Sequence, residues 1–119
     1  MMRDLAPDIT RVRLLIEGFY EGSIDEGRVR EYLYGIAEHL DLTVYGEPTI
    51  HSPAGTGSAE NQGYDAFIPL IDSGISLYVW SQQSFFSTLL YTCKAFDIEA
   101  ACTFTRAFFN APEIEHAVI

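Results

Sequence analysis

Polar and apolar residues follow two different periods in the first third of the chain. Val12 to Tyr20 places apolar side chains at every second position, which predicts a half-buried strand. Ser23 then precedes Glu26 by three residues, the spacing at which each side chain can accept a hydrogen bond from the free backbone N–H of the other. A helix is therefore predicted from this point, and its apolar face carries residues at helical spacing: Val29, Leu33, Ile36 and Leu40.

Strand-like runs dominate the middle of the chain. Leu42 to Ile50 predicts a second strand, and Ser52 to Gly63, rich in Gly, Ser and Pro, predicts a loop. Polar turns at Asp72-Ser73-Gly74 and Ser81-Gln82-Gln83 separate the runs that follow, which predicts a meander of two hairpins. The three strands of that meander are Tyr64 to Ile71, Ile75 to Trp80, and Phe85 to Cys93.

The last part of the chain predicts one more helix and a short strand. The helix begins near Asp97 and ends before Pro112, because the residue before a proline disfavours helical backbone. Ile114 to Ile119 predicts the final strand. Runs of strands between two helices favour an α+β fold, here a two-layer α/β sandwich with a mainly antiparallel sheet and two helices on one face.

The second hairpin turn sets a register for the residues of chemical interest. If that turn has three residues, Trp80 pairs with Ser84 and Cys93 falls opposite Ile71. Paired residues and positions two apart share a face, so Cys93 is predicted on the same face as Ser73. Tyr78 has the opposite parity to Ser73 and lies with Ser76 and Trp80 on the face that the helices leave uncovered.

Composition limits the classes of protein and partner. The 119 residues, 48% hydrophobic and 20% charged, suit a single domain spanning 1–119. The formal net charge is −10 and the sequence has no basic cluster, which argues against a nucleic-acid partner because nothing would neutralise the phosphates.

Compartment and metal content are also predicted from composition. No apolar run approaches the ~18 residues of a membrane span, no secretory signal is recognised, and Cys93 and Cys102 do not make a disulfide framework. We therefore expect a cytoplasmic protein with no membrane partner. No metal is expected, because the histidines lack ligand spacing: His39, His51 and His116.

The central hairpin resembles the processing-site region of the prokaryotic S-adenosylmethionine decarboxylases. In that family an acidic residue precedes a serine, which is followed by an alternating strand that ends in Trp and later by a Thr-Cys pair. Upstream, the family has a Ser-Pro-x-Gly segment. The matching residues are Asp72-Ser73, Ile75 to Trp80, Thr92-Cys93, and Ser52-Pro53 with Gly55.

The resemblance implies a self-cleaving proenzyme of polyamine metabolism. The chain would break between Asp72 and Ser73, and Ser73 would become a pyruvoyl group, the cofactor of a decarboxylase acting on an amine or amino-acid-like substrate. Cys93 stands at the position of the family's proton donor. The resemblance also implies a homodimer.

Several positions depart from the family pattern. Tyr78 replaces a His implicated in the elimination step, and a phenol is a weaker base than an imidazole at neutral pH. Asp65 stands where the family has a serine that takes part in processing, and His51 stands where the family has a Phe that stacks on adenine. Gln82 replaces a carboxylate that contacts the ribose of the substrate, whereas Trp80 is the same as in the family. These changes affect cleavage and adenosyl recognition. The substrate-binding positions that the resemblance implies are occupied by His51, Asp65, Trp80 and Gln82.

Two hypotheses follow from these residues. The first is a pyruvoyl-dependent decarboxylase with an altered substrate. The second is a non-processing homologue that binds a small molecule or a partner, in which Ser73 is a turn residue and Cys93 a core thiol.

Overall fold

A computed structural model describes residues 2–119 as six antiparallel strands in the order β2-β3-β4-β5-β1-β6, with both helices on one side. This confirms the predicted sandwich. The elements are β1 (Val12–Phe19), α1 (Glu26–His39), β2 (Thr49–His51), a short 3-10 turn (Ala59–Asn61), β3 (Gly63–Leu70), β4 (Ser73–Trp80), β5 (Phe85–Thr92), α2 (Ile98–Phe109) and β6 (Ile114–Val118).

The two helices begin at aspartates. The side chain of Asp25 accepts a hydrogen bond from the backbone N–H of Arg28, and Asp97 does the same for Ala100. The predicted capping box at Ser23 and Glu26 is therefore wrong, because Asp25 stands closer to the helix and supplies the cap itself. α2 ends at Asn110, whose left-handed backbone (φ 55°) stops the helical hydrogen bonds before Pro112.

The core lies between the helices and one face of the sheet. Alternate residues of every central strand point into it, and fully buried Tyr32 of α1 packs against Phe109 of α2 at 5.0 Å between ring centroids. Other members of this core are Leu14, Ile16, Val29, Leu33, Ile36, Ile68, Ile75, Leu77, Phe86 and Leu90. Among residues 2–119, no helix is long and apolar enough to cross a lipid bilayer.

Two strand predictions are corrected by the sheet. The predicted strand from Leu42 to Ile50 is reduced to Thr49–His51, because Val44 makes only an isolated bridge to Leu70 and Pro48 interrupts the run. The second hairpin turn has four residues instead of three, with Ser84 in a left-handed conformation (φ 53°). Trp80 therefore pairs with Phe85, and every pairing in this hairpin is shifted by one residue from the prediction.

The face of the sheet away from the helices is uncovered. One row of paired residues crosses all six strands on this face and consists of His51, Asp65, Tyr78, Ser87, Glu17 and Glu115. Tyr78 is 40% exposed, whereas its neighbour Leu77 is fully buried on the helix side. The predicted alternation of Ser76, Tyr78 and Trp80 onto the uncovered face is confirmed.

Candidate functional site

The turn between β3 and β4 presents the Asp72–Ser73 peptide bond at one end of the sheet. Leu70 pairs with Ser73, so the turn consists of Ile71 and Asp72, and Ser73 is the first residue of β4 instead of a turn residue. Asp72 has a left-handed backbone with φ 76°. Such a conformation is uncommon for a residue with a side chain and stores conformational energy at this bond.

The backbone N–H of Cys93 contacts both groups that flank this bond. It donates to the carbonyl oxygen of Asp72 at 2.8 Å and to the hydroxyl oxygen of Ser73 at 2.7 Å. The Ser73 hydroxyl oxygen and the Asp72 carbonyl oxygen are thus held by one donor. An N–H aimed at a carbonyl oxygen can stabilise the negative charge that develops there when the carbonyl is attacked.

The side chain of Cys93 is placed differently from the prediction. The shifted register pairs Ser73 with Thr92, so Cys93 follows the paired residue and has the opposite parity to Ser73. The predicted shared face is therefore wrong, although the backbone of Cys93 does reach Ser73. The Cys93 side chain is an exposed free thiol, whereas Thr92 is buried and its hydroxyl bonds the Lys94 carbonyl.

Gly74, the residue after Ser73, lies directly under an aromatic ring. A Cβ atom at Gly74 would stand 2.3 Å from the Cζ atom of Phe67 and 2.4 Å from its Cε1 atom. The ring therefore occupies the volume that a side chain at position 74 would fill. Phe67 was not predicted as a site residue, because its contact depends on the β3–β4 register.

A groove on the uncovered face gathers three of the predicted site residues. His51 pairs with Asp65 across β2 and β3, and Asp65 pairs with Tyr78 across β3 and β4. The groove has a volume of about 160 Å³, and its remaining lining residues are Thr49, Ala66, Phe67 and Ser76. It holds an imidazole, a carboxylate and a phenol, groups that can exchange protons or hydrogen-bond a polar ligand.

The polar row continues beyond the groove through residues that sequence reasoning missed. The hydroxyl of Ser87, which pairs with Tyr78, donates to the Glu17 carboxylate at 2.8 Å. From sequence, the alternation of side chains within each strand could have predicted that Ser87 and Glu17 lie on this face. Their contact with each other could not be predicted, because it depends on the β1–β5 register.

The other predicted substrate positions lie apart from the groove. Trp80 packs against Phe85 at 5.3 Å between ring centroids, and Phe85 packs against Phe19 at 5.4 Å, so the Trp80 indole belongs to an aromatic cluster on the uncovered face. Gln82 is exposed in the four-residue turn after Trp80. Neither side chain is brought next to Ser73, and among residues 2–119 no three metal-binding side chains converge.

The fold and the turn define a class: a two-layer α+β sandwich with a serine at the head of its central hairpin, after an acidic residue in a left-handed conformation. The sequence model of the S-adenosylmethionine decarboxylase family matches residues 21–119. The chain belongs to that family.

A solved structure gives the same fold. The crystal structure of the adenosylmethionine decarboxylase from Aquifex aeolicus VF5 is similar with a TM-score of 0.71, over 93% of this chain and 89% of that chain, at 20% sequence identity. No curated protein matches the sequence.

Proposed function

We propose that this chain is a pyruvoyl-dependent decarboxylase formed by self-cleavage between Asp72 and Ser73. The observation that carries the proposal is the Cys93 N–H, which contacts the Asp72 carbonyl oxygen and the Ser73 hydroxyl oxygen together. Family membership supports the reaction type. The left-handed backbone of Asp72 supports it as well, since cleavage would release strain at that residue.

Self-cleavage would proceed through an ester. The Ser73 hydroxyl oxygen attacks the carbonyl carbon of Asp72, the C–N bond breaks, and the hydroxyl proton passes to the released amine. Removal of the Ser73 α-proton then eliminates Asp72 as a carboxylate and leaves a dehydroalanine. Addition of water and loss of ammonia convert this residue into a pyruvoyl group.

The finished cofactor would condense with the amine of the substrate and accept the electron pair left when CO2 departs. The exposed thiol of Cys93, the same residue whose N–H is described above, is the proposed proton donor to the decarboxylated product. The substrate is a small amine or amino-acid-like molecule. His51 and Gln82 replace the family's adenosyl contacts, so we propose a substrate other than the adenosyl compound, within the cytoplasmic metabolism of polyamines.

A homodimer is part of this proposal, because one chain does not assemble the site. Tyr78 lies five residues from Ser73 along β4, roughly 16 Å at the rise of an extended strand. Asp65 is its cross-strand partner and is equally remote. Ser73 stands at the end of the sheet, so a second copy that packs against the uncovered face and reaches past this end would bring its own groove toward the Asp72–Ser73 bond. An uncovered sheet face with exposed aromatic residues favours such packing.

Intact-mass measurement of freshly purified protein tests self-cleavage. We expect a fragment of residues 1–72 and a fragment of residues 73–119 that is lighter by one ammonia than the same fragment with an N-terminal serine. The Ser73→Ala variant should give one uncut mass, and the control Ser58→Ala, at an exposed serine outside the groove, should be cut like the natural chain. A single full-length mass that persists through long incubation would contradict the proposal.

A second candidate function is favoured by the groove itself. A non-processing homologue would use His51, Asp65 and Tyr78 to bind a small polar molecule without catalysis. Replacing Tyr78 by His distinguishes the two: cleavage that starts only in Tyr78→His would show an intact nucleophile and a missing base. Binding of amino acids or polyamines to uncut natural protein, measured by calorimetry and lost in Asp65→Asn, would support the binding function.

A further inference from the structure

The fold builds a basic pocket that the sequence does not show. Arg3, Arg11 and Arg13 line a cavity of about 170 Å³ together with Met2, Asp4 and Leu5. The chain has only seven lysines and arginines and a net charge of −10. Three of the seven cations are therefore gathered at one place on an otherwise acidic molecule.

The charges of this pocket are only partly satisfied within the chain. Arg11 bonds the Asp4 carboxylate through its Nη2 atom. Arg13 is half-buried, and among residues 2–119 no carboxylate lies within 4.0 Å of its guanidinium. The Nε atoms of Arg11 and Arg13 are both buried without a hydrogen-bond partner among the described residues.

An unpaired, partly buried guanidinium is costly. Burial removes water from the charge, and the loss is offset only when another charge or several hydrogen-bond acceptors replace that water. A guanidinium offers parallel N–H donors that match the two oxygens of a carboxylate or the oxygens of a phosphate. The side chains of this pocket therefore favour binding of an oxyanion, such as a carboxylate or a phosphate.

The pocket lies at the same end of the sheet as Ser73. Arg13 pairs with Tyr91, and Tyr91 pairs with Gly74, the residue after Ser73. At the spacing of neighbouring strands, the backbone of Arg13 is roughly 10 Å from that of Gly74 on the uncovered face.

We propose that the Arg3–Arg11–Arg13 pocket binds a small oxyanion, with Arg13 as the principal ligand. The site takes a carboxylate or a phosphate group, either on a substrate that extends toward Ser73 or as a free effector. It does not depend on self-cleavage, and the same binding is expected in uncut Ser73→Ala protein.

Nuclear magnetic resonance of the arginine side chains tests the site directly. The N–H signals of the Nε groups are followed in Ser73→Ala protein during separate titrations with malonate and inorganic phosphate at constant ionic strength, with sodium chloride as the reference salt. We expect saturable shifts of the Arg13 and Arg11 signals with malonate or phosphate and none with chloride. Saturation by malonate alone would identify a carboxylate site, and saturation by both would identify a general oxyanion site.

Matched variants make the test specific. Arg13→Gln should bind about 10- to 100-fold more weakly, because it loses charged hydrogen bonds. The control Arg30→Gln removes the same charge from an exposed residue of α1 that is paired with Glu26, and this variant should bind as the parent does. Arg13→Lys keeps the charge but loses the two-pronged geometry, and intermediate binding is expected.

Three results would overturn the proposal. Equal shifts with chloride would mean simple screening, and equal binding by Arg13→Gln would place the anion elsewhere. Signals of Arg13 that change with protein concentration and not with either anion would mean that another copy of the chain fills the pocket. If Arg13→Gln fails to fold, the titration of Ser73→Ala protein and the exposed Arg3→Gln variant still decide the question.

Discussion

Replacing Gly74 by Ala tests whether Phe67 fixes the backbone beside Ser73. The backbone of Gly74 lies outside the left-handed region, so an alanine could adopt it without strain. The main obstacle is the Phe67 ring at 2.3 Å and 2.4 Å, and the Ile68 carbonyl oxygen follows at 3.2 Å. Ordinary contact between carbon atoms needs ~3.5 to 4.0 Å. The ring or the strand must therefore shift by more than ~1 Å, a case of overpacking that costs about 1–3 kcal/mol.

The double mutant separates this clash from other effects. Phe67→Ala alone should cost about 1 kcal/mol, because the side chain is 43% exposed and gives up only part of the free energy of a buried aromatic. Gly74→Ala combined with Phe67→Ala removes the clash, so its free energy of unfolding should exceed the additive expectation by about 1–2 kcal/mol. The control Gly46→Ala, whose Cβ would meet Pro69 Cγ at 3.5 Å, should have a small effect.

Urea unfolding followed by circular dichroism measures the four free energies, and intact mass measures the cleaved fraction of each variant. We expect Gly74→Ala to cleave more slowly than the natural chain, because the clash with the Phe67 ring would move the Ser73–Gly74 peptide. The double mutant lacks this ring, and its cleavage rate should return toward that of the natural chain. Strictly additive free energies would refute the reasoning, because they would show that the ring moves aside without cost.

Two further predictions concern the framework around the site. Tyr32 is fully buried, its hydroxyl bonds Thr105 at 2.9 Å and burial raises its pKa to about 12, so Tyr32→Phe should cost about 1–2 kcal/mol at pH 7. The phenol ionises near pH 10 in the unfolded chain and near pH 12 in the folded chain. The natural protein should therefore lose about 2 kcal/mol between pH 10 and 12 that Tyr32→Phe retains, as urea unfolding across that range would show. Equal pH dependence of the two proteins would contradict this account. Gly63→Ala should cost at least about 2 kcal/mol in thermal unfolding, because its Cβ would stand 1.7 Å from the Val79 carbonyl oxygen at φ 156°. Gly22→Ala (φ 84°, no atom within 4 Å) is the control for backbone strain alone, and an equal loss in both would exclude the clash.

The helices and strands of the fold could be predicted from the period of the hydrophobic residues, but the register between paired strands could not. The alternation in β4 is strict, so the faces of Ile75 and Tyr78 were predictable from sequence. The register with β5 depended on one extra turn residue, Ser84, whose left-handed backbone no local pattern marks. That single residue decided whether Cys93 meets Ser73 through its side chain or through its backbone N–H.

Contacts distant in sequence were beyond prediction for the same reason. Arg3, Arg11 and Arg13 are separated in the sequence by acidic and apolar residues, and their pocket exists only because the N-terminal segment folds back on β1. The Phe67 ring over Gly74 likewise depends on which residues of β3 and β4 face one another. Such sites arise from tertiary geometry, whereas Ser73 and Cys93 are visible in a sequence pattern.

The groove retains an imidazole even though Tyr78 replaces the expected one. His51 stands in the same cross-strand row, with the carboxylate of Asp65 between it and Tyr78. An imidazole next to a carboxylate is the usual pair for proton abstraction. If a second copy presents its groove to Ser73, we expect His51 to take the Ser73 α-proton in place of Tyr78.

Replacing His51 by Gln therefore tests whether the base has moved within the row. We expect His51→Gln to slow cleavage at least as much as general base catalysis contributes, about 10²-fold or more, while gel filtration shows the same assembly. The control His39→Gln removes an exposed imidazole from α1, where His39 packs on Phe104, and should cleave normally. Mixing uncut Ser73→Ala protein with His51→Gln protein adds the decisive step: cleavage restored in the mixture would show that the base of one chain serves the serine of the other. Unchanged cleavage in His51→Gln would contradict this assignment and make the Asp65 carboxylate the next residue of the groove to test.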